Sequence, residues 1–310
     1  MKYDIIGDVH GHAAPLMALL GKLGYSLRRG TWQHPARTAI FVGDLIDRGP
    51  EQLDTLNIVR RMVDGGFARA VMGNHEFNAI AWATPDPRNA GRHLRERDGE
   101  KGAKNRRQHA AFLMEVSEDT KRHKEWIQWF LGLPLWIEEP GFRVVHACWS
   151  SEHVEKLAPC LREGAKLKPE ALPLCVEKGT DPYNAVEVLL KGLEVDLPHG
   201  VSFLDKDKHP RHAMRTKWWD STLSTYHDAY IGPEGAKIPK VPLPPEARLP
   251  EPDRPTFIGH YWLEPDAPLG PRSGRVACVD YSVANHGPLV AYRFDGEGEL
   301  TKDKFVAVGR

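Results

Sequence analysis

The sequence GDVHG at residues 7–11 decides the fold, because it follows the short apolar run YDII and carries two metal-binding side chains. The run at residues 3–6 predicts a buried strand, and residues i and i+2 of an extended chain point to the same face. Asp8 and His10 are therefore expected to converge at the carboxyl end of that strand, where open α/β sheets place their ligands. The pentapeptide alone is also compatible with a surface turn that carries a polar pair.

Two later stretches repeat the pattern of an apolar run, a glycine and a polar residue. They are GDLIDRG at residues 43–49 and GNHE at residues 73–76, and helical patterns at residues 13–23 and 51–63 lie between the motifs. Strand, ligand turn and helix in repetition predict a parallel sheet with crossover helices. The polar residues expected on one rim of that sheet are Asp8, His10, Asp44, Asn74 and His75.

Length and composition exclude several classes of protein. The chain has 310 residues, enough for one large domain or two ordinary ones, and its 42 basic and 42 acidic residues give a net charge of zero. No strong overall field attracts nucleic acid or a membrane surface. The four cysteines show no C-x-x-C pairing, so free thiols are expected instead of a zinc site or disulfides. Since the chain also lacks an apolar run long enough to span a membrane and a signal-peptide pattern, we expect a cytoplasmic protein.

The segment after the third motif combines charge with helical character. Residues 84–109 carry many arginines and lysines among acidic residues. This pattern predicts a solvated helical face or loop or, alternatively, a positive flank that receives a phosphorylated substrate. Residues 121–131 predict an amphipathic helix whose aromatic side chains pack in the core. Residues 133–137 and 142–145 predict a hairpin whose second strand ends at His146.

Residues 150–255 are expected to form an insertion, or cap, within a single domain that spans residues 1–310. A helix is predicted around residues 186–190. Eight prolines between residues 231 and 256 predict an extended strap with polyproline II character. The histidines of this insertion follow no metal-ligand template, so surface or structural roles are expected for His199, His209 and His212.

The carboxyl-terminal part returns to short apolar runs. Residues 256–258 form a run that ends at Gly259 and His260. The runs at residues 275–281 and 289–294 predict a hairpin, and a last strand at residues 304–308 would complete an antiparallel meander. The expected fold is therefore α/β, with sheets that mix parallel and antiparallel strands.

The side chains at the predicted strand ends suit a two-metal site. They are Asp8, His10, Asp44, Asn74, His146 and His260. Oxygen and nitrogen ligands without a thiolate fit borderline divalent ions such as Mn, Fe, Co or Zn better than Ca or Mg. A pair of ions about 3.5–4 Å apart binds phosphate oxygens and activates a water. His75 would then protonate the leaving oxygen, Asp47 would hold that imidazole, and Arg48 would bind phosphate through its planar guanidinium.

The three motifs resemble the signature of the calcineurin-like metallophosphoesterases. They stand 36 and 30 positions apart, and the endings DRG and NHE are similar to those of the phosphoprotein phosphatase branch. That branch includes Ser/Thr protein phosphatases and symmetrical diadenosine tetraphosphate hydrolases. The resemblance covers residues 3–80, 142–149 and 256–294. It implies a two-sheet β-sandwich flanked by helices, in four layers.

The resemblance also implies a role for each matched residue. The implied metal ligands are Asp8 and His10 for the first ion, Asp44 as the bridge, and Asn74, His146 and His260 for the second. His75 would be the general acid with Asp47 as its partner, while Arg48 and Asn74 would also contact substrate. A second phosphate-binding arginine is usual between the last two histidines, with Arg215 as the candidate and Arg211 as the alternative. The implied cofactors are two divalent ions, manganese first, with iron, zinc, cobalt or nickel as alternatives.

The expected function is hydrolysis of phosphomonoesters, on proteins or small molecules, by attack of a metal-activated water. The alternative is a symmetrical dinucleoside tetraphosphate hydrolase, in which Trp218, Trp219 or Trp262 would stack on an adenine. The expected partner is thus a phosphorylated protein, nucleotide or small phosphoester, and not a membrane. Nucleic-acid phosphoesters are a weaker alternative, because the chain has no overall basic charge. A non-catalytic binding protein on the same scaffold is a further alternative, although every ligand position is filled.

Overall fold

The computed structural model describes residues 2–205 and 208–309. The α-helices of this part are, in chain order, α1 (Ala13–Leu23), α2 (Gln52–Asp64), α3 (Asn74–Ala83), α4 (Gly99–Val116), α5 (Lys121–Leu131), α6 (Ser151–Leu157), α7 (Leu172–Val176), α8 (Asp181–Lys191) and α9 (Tyr226–Ala229). The β-strands are β1 (Lys2–Ile6), β2 (Ser26–Arg28), β3 (Thr31–Gln33), β4 (Arg37–Phe41), β5 (Ala68–Ala70), β6 (Trp136–Glu139), β7 (Phe142–Val145), β8 (Leu161–Arg162), β9 (Lys166–Leu167), β10 (Glu194–Asp196), β11 (Phe203–Leu204), β12 (Pro210–Arg211), β13 (Ala213–Thr216), β14 (Tyr230–Ile231), β15 (Thr256–Ile258), β16 (Val276–Cys278), β17 (Leu289–Phe294) and β18 (Phe305–Val308).

The first sheet contains the strands that lead into the three motifs. Its strand order is β18-β17-β1-β4-β5, with β1 parallel to β4, β4 parallel to β5, and β17 antiparallel to both β1 and β18. Helices α1 and α2 connect the parallel strands, so the predicted repetition of strand, turn and helix is confirmed. The carboxyl ends of β1, β4 and β5 therefore meet at one edge of this sheet.

The second sheet has the order β16-β15-β7-β6. The predicted hairpin of β6 and β7 is confirmed. The predicted hairpin of β16 and β17 is wrong, because β16 lies parallel to β15 in the second sheet while β17 pairs with β1 in the first. Every residue of β16 is buried, and so are five of the six residues of β17. Strands covered on both faces show no alternation of apolar and polar residues, so their sequence does not reveal which sheet they join.

Apolar side chains from both sheets pack against each other. Ile5 and Ile40 of the first sheet and Val144 and Phe257 of the second belong to one buried cluster. A larger cluster joins the outer faces of the sheets to the helices, with Leu16 of α1 among its fully buried members. The two-sheet sandwich flanked by helices is therefore confirmed.

The insertion at residues 150–255 has a small core of its own. Strands β10, β13 and β14 form a sheet, and Met214 and Ile238 lie in an apolar cluster separate from the sandwich. The helix predicted around residues 186–190 is part of α8. In the proline-rich stretch, Pro244 has the polyproline II dihedral angles φ −66° and ψ 154°, as expected for a strap.

Two predictions from composition can be compared with the described residues. Cys148, Cys160, Cys175 and Cys278 are all buried free thiols, as predicted. Within residues 2–205 and 208–309, none of the helices combines the length and apolar character needed to cross a bilayer.

Candidate metal centre and active site

The first two motif loops lie side by side at the carboxyl edge of the first sheet. The N–H groups of Val9 and His10 both donate to the carbonyl oxygen of Asp44, at 3.1 and 2.9 Å. His10 and Asp44 have left-handed backbone, with φ of 46° and 49°. Such conformations cost non-glycine residues on the order of 1–3 kcal/mol and occur most often at functional sites. The prediction that Asp8 and His10 project together from extended backbone is therefore wrong for His10, whose ring is aimed by a turn.

Asp44 lies at the centre of the predicted ligands. Its carboxylate belongs to two groups of possible metal-binding side chains, one with His10 and His75 and one with His146 and His260. Within each group the ligand atoms lie within 4.8 Å of one another. Asp44 Oδ2 is 3.3 Å from His146 Nε2, 3.7 Å from His10 Nε2 and 3.9 Å from His75 Nε2. A carboxylate shared by two groups has the position that a bridging ligand requires.

Asp8 and Asn74 lie beside these groups. The Oδ2 atom of Asp8 accepts a hydrogen bond from the backbone N–H of His260 at 3.0 Å, and Asn74 Oδ1 lies 3.2 Å from His146 Nε2. Asp8 itself is in neither of the groups found among the described residues. The structure thus brings the predicted ligands into one region, with Asp8 at its margin.

Buried polar atoms without partners are what a cation-binding site would contain. Asp8 Oδ1, His10 Nε2 and both ring nitrogens of His260 have no hydrogen-bond partner in the described part of the chain, although such atoms are nearly always paired. Burial lowers the pKa of His10 to about 3 and that of His260 well below its ordinary value, so both rings are in the neutral, metal-binding form. Burial, Asp280 and Asp44 raise the pKa of Asp8. Crowded carboxylates and neutral imidazoles are a donor set that fits borderline divalent ions.

His75 is paired with Asp47. Its Nδ1–H donates to Asp47 Oδ2 at 2.6 Å, while Nε2 faces Asp44. Burial acts to lower the pKa of His75, but the charges of Asp44 and Asp47 raise it above its ordinary value. A protonated imidazole can donate a proton and cannot bind a metal. This arrangement favours His75 as a proton donor and not as a third metal ligand beside His10 and Asp44.

Arg48 and Arg215 line two adjoining cavities at the site, of about 210 and 1350 Å³. The Arg48 guanidinium carbon lies 4.1 Å from the ring centroid of Trp262. Arg215 Nε is 3.6 Å from a carboxylate oxygen of Glu194. Arg211, the alternative candidate, is exposed on β12 and also pairs with Glu194. The structure therefore brings Arg215 to the cavities and leaves Arg211 on the surface.

Two of the three tryptophans considered for base stacking are in the core. Trp218 and Trp219 are only 3 % and 7 % exposed, and Trp218 Nε1–H donates to the hydroxyl of Tyr261 at 2.9 Å. A base cannot stack on them without unfolding the core, so the prediction is wrong for both. Trp262 lines the larger cavity and remains available.

Surface or structural roles were expected for three histidines of the insertion. None of His199, His209 and His212 is in a metal-competent group of residues 2–205 and 208–309. His209 lines the larger cavity together with Arg215.

Comparison with known proteins agrees with this geometry. Residues 1–153 match the family model of the calcineurin-like phosphoesterases. The matched part of the chain, residues 1–153, belongs to this family. The resemblance inferred from the three motifs is thereby confirmed.

Curated relatives of this calcineurin-like phosphoesterase include bis(5'-nucleosyl)-tetraphosphatases. Over 76 residues the chain is 51% identical to the asymmetrical bis(5'-nucleosyl)-tetraphosphatase of Halalkalibacterium halodurans, a match that covers 24% of this chain and 31% of the relative. Over 159 residues it is 35% identical to the symmetrical bis(5'-nucleosyl)-tetraphosphatase of Ralstonia nicotianae, covering 49% of this chain and 45% of the relative. The chain thus spans about a third to a half of the length of these relatives.

A solved structure supports the fold over the whole chain. A protein serine/threonine phosphatase from Saccharomyces cerevisiae superimposes with a TM-score of 0.52, covering 100% of this chain and 80% of that one. The two chains are 15% identical. This likeness concerns the fold alone.

Sequence reasoning left Glu76 of this calcineurin-like phosphoesterase without a role. Its buried carboxylate accepts from the backbone N–H groups of Asp44 and Gly73 at 2.9 Å each, from Leu45 at 2.8 Å and from Ile46 at 3.3 Å. One side chain thereby fastens the second motif loop to the third. The signal was present in the ending NHE, where a glutamate directly follows Asn74 and His75.

Replacing Glu76 with glutamine is expected to lower the free energy of unfolding by about 2–4 kcal/mol, because the new NH2 group faces backbone donors and leaves them unpaired. Chemical denaturation of the metal-free protein measures this change. Glu115→Gln is the matched control, since that half-buried carboxylate accepts from the N–H groups of Gln52 and Leu53 at 2.8 Å, at the start of α2. Equal losses for the two variants would contradict a special role of Glu76.

Asp280 and His109 are two further buried residues that the motifs did not reveal. Asp280 accepts from the N–H groups of Trp262 and Ser282, at 2.7 and 3.0 Å, and so fixes the loop that carries His260. Its signal was an aspartate directly after an apolar strand. His109 Nδ1–H donates to Asp47 Oδ1 at 2.7 Å. Burial acts to raise the pKa of Asp47, but His109 and His75 hold it below its ordinary value.

The charged segment at residues 84–109 is partly helix and partly cavity wall. Helix α4 begins at Gly99 and turns Lys104 and Arg107 toward the larger cavity. Arg95 lines the smaller one. Of the two interpretations, the positive flank is the one that these positions favour.

Proposed function

We propose that this calcineurin-like phosphoesterase hydrolyses phosphate esters with the help of two divalent metal ions. The observation that carries the proposal is the buried donor set around Asp44, with unpaired ligand atoms on both sides and a cavity lined by arginines in front of it. The residues proposed to hold the ions are Asp8, His10, Asp44, Asn74, His146 and His260. The bound ions would polarise the phosphate and activate the attacking water.

The other residues act on the substrate itself. Arg48 and Arg215 would bind the non-bridging phosphate oxygens through charge-assisted hydrogen bonds. Trp262 supports this, because its ring packs against the Arg48 guanidinium. His75 would donate the proton from Nε2 to the leaving oxygen, with Asp47 on Nδ1 to orient the ring.

Metal content and a substrate panel test the proposal. The protein is reconstituted with Mn, Fe, Zn, Co or Ni and assayed on an aryl monoester, an aryl diester, a phosphopeptide and diadenosine tetraphosphate. Two ions per chain and metal-stimulated turnover of at least one substrate are expected. Two bound ions without turnover on any of the substrates would contradict the proposal and support the non-catalytic alternative.

A second candidate is hydrolysis of dinucleoside tetraphosphates, and Arg95 favours it. In the described part of the chain, the guanidinium of Arg95 donates to neutral amide oxygens, Asn78 Oδ1 at 2.6 Å and Gln108 Oε1 at 3.0 Å. Burial lowers its pKa, and a cation in that setting gains from an anionic ligand. Arg95 shares the smaller cavity with His75. A phosphate group bound by Arg95 would therefore lie beside the leaving oxygen. This is the position of the next phosphate in a polyphosphate chain.

Arg95→Gln is expected to lower kcat/KM for diadenosine tetraphosphate by about 10- to 100-fold, which corresponds to about 1.5–3 kcal/mol for a hydrogen bond to a charged group. For an aryl monoester, which has no second phosphate, the loss should stay below about 3-fold. Steady-state kinetics on both substrates measure the difference, and exposed Arg92 provides the matched control as Arg92→Gln. Equal losses on the two substrates would remove the argument for a dinucleoside tetraphosphate as the substrate.

A further inference from the structure

Two imidazoles from different helices hold the carboxylate of Asp47. Oδ2 accepts from Nδ1–H of His75 at 2.6 Å, and Oδ1 accepts from Nδ1–H of His109 at 2.7 Å. Asp47 is 2 % exposed, so water has little access to either oxygen. Its backbone N–H donates to Gln52 Oε1 at 2.7 Å, which fixes the turn beneath. The carboxylate therefore has one imidazole on each oxygen and cannot rotate without losing a bond.

His109 is fixed by its surroundings on α4. The residue is 5 % exposed, and its ring centroid lies 5.0 Å from that of Phe112 and 6.3 Å from that of Trp82. Its Nε2 has no hydrogen-bond partner among the described residues. A position between two aromatic rings suits an apolar side chain, and a polar ring there costs free energy unless it makes a hydrogen bond. The bond to Asp47 explains why a histidine occupies this position.

We propose that His109 is a positioning residue, which orients His75 by locking the carboxylate of Asp47. This inference rests on the proposed function of His75 as the proton donor. With both oxygens of Asp47 engaged, the His75 ring keeps Nε2 directed toward Asp44, on the side where the leaving oxygen of a substrate would lie. Without His109, the carboxylate can rotate and the ring can turn away. The hydrogen bond from His109 to Asp47 comes from α4 and not from any of the three motifs.

The test is the dependence of kcat/KM on the leaving group. His109→Phe, with Mn-loaded protein, is expected to lower kcat/KM about 10- to 100-fold for phenyl phosphate, whose leaving oxygen needs a proton. For 2,4-dinitrophenyl phosphate, whose leaving group departs as the anion, the loss should stay below about 3-fold. His109→Asn, whose amide N–H can replace Nδ1–H, should stay within about 3-fold of wild type on both substrates.

Two controls separate orientation from mere packing. Val116→Ala removes buried volume from the same face of α4, two turns further along, and should affect both substrates alike. In a His75→Asn background, His109→Phe should cause no further loss on phenyl phosphate, because the residue that it orients is already absent. Uniform losses on both substrates, or losses that add in the double variant, would overturn the inference while the proposed function stands. A wild-type protein that turns over neither these phenyl phosphates nor any substrate of the panel would contradict the proposed function and the inference together.

Discussion

Asp44→Asn is expected to abolish metal-dependent hydrolysis, with kcat/KM reduced by at least about 10³-fold, since a metal ion supplies several kcal/mol of transition-state stabilisation. The carboxylate lies in both groups of possible ligands, so one change affects both ions. Although burial acts to raise the pKa of Asp44, His146 and His75 hold it well below its ordinary value, so the carboxylate would offer bound ions a full negative charge. Asparagine retains the shape and removes that charge.

The fold should survive this substitution. Asp44 Oδ1 accepts from the backbone N–H of His75 at 2.9 Å, and the amide oxygen of asparagine can accept the same bond. Metal content by mass spectrometry and kcat/KM on the best substrate are measured together. Asp4→Asn is the matched control, because Asp4 is a fully buried carboxylate in the middle of β1 that pairs with Arg37 at 2.9 Å. Asp4→Asn should lose stability and keep its ions. An Asp44→Asn variant with two ions and normal turnover would contradict the bridging role.

The metal centre could be predicted from sequence because its ligands and the backbone around them are encoded in the same short stretches. A side chain on Gly73 would place its Cβ 2.2 Å from Asp44 Oδ1, and Gly43 has a φ of 103° that favours glycine. The glycines that mark the motifs are therefore the ones that the buried carboxylate requires. Parallel pairing of β1, β4 and β5 then brings the motif ends together. Both features are local in sequence, so a single chain reveals them.

Residues that act through tertiary packing could not be predicted in this way. Asn105, His109, Phe112 and Val116 follow a helical spacing of three and four residues, so their common buried face was visible. What that face contacts was not visible, because the bond from His109 to Asp47 spans 62 residues. The prediction that Trp218 or Trp219 stacks on an adenine was wrong for the converse reason. A basic and aromatic stretch is compatible with either a ligand site or a core, and only the packing against Tyr261 decides between them.

His75→Asn is expected to lower kcat by about 10²- to 10⁴-fold on substrates with poor leaving groups, the usual contribution of general acid–base catalysis. KM should change little, because the arginines and the ions that bind phosphate remain. Asparagine cannot carry the proton, although its side chain can still reach Asp47. The readouts are kcat and KM on phenyl phosphate, with metal content measured on the same sample.

Metal content decides what His75 does. Its Nε2 lies in one group with His10 and Asp44, so the distances alone also allow a ligand. In the metal-free site, the charges of Asp44 and Asp47 outweigh burial and raise the pKa of His75, which favours a protonated ring. If His75 is a proton donor, the His75→Asn variant should keep two ions per chain and lose activity. If His75 is a metal ligand, the variant should lose one ion together with the activity. The second result would move His75 into the metal centre and leave the leaving oxygen to be protonated by another group.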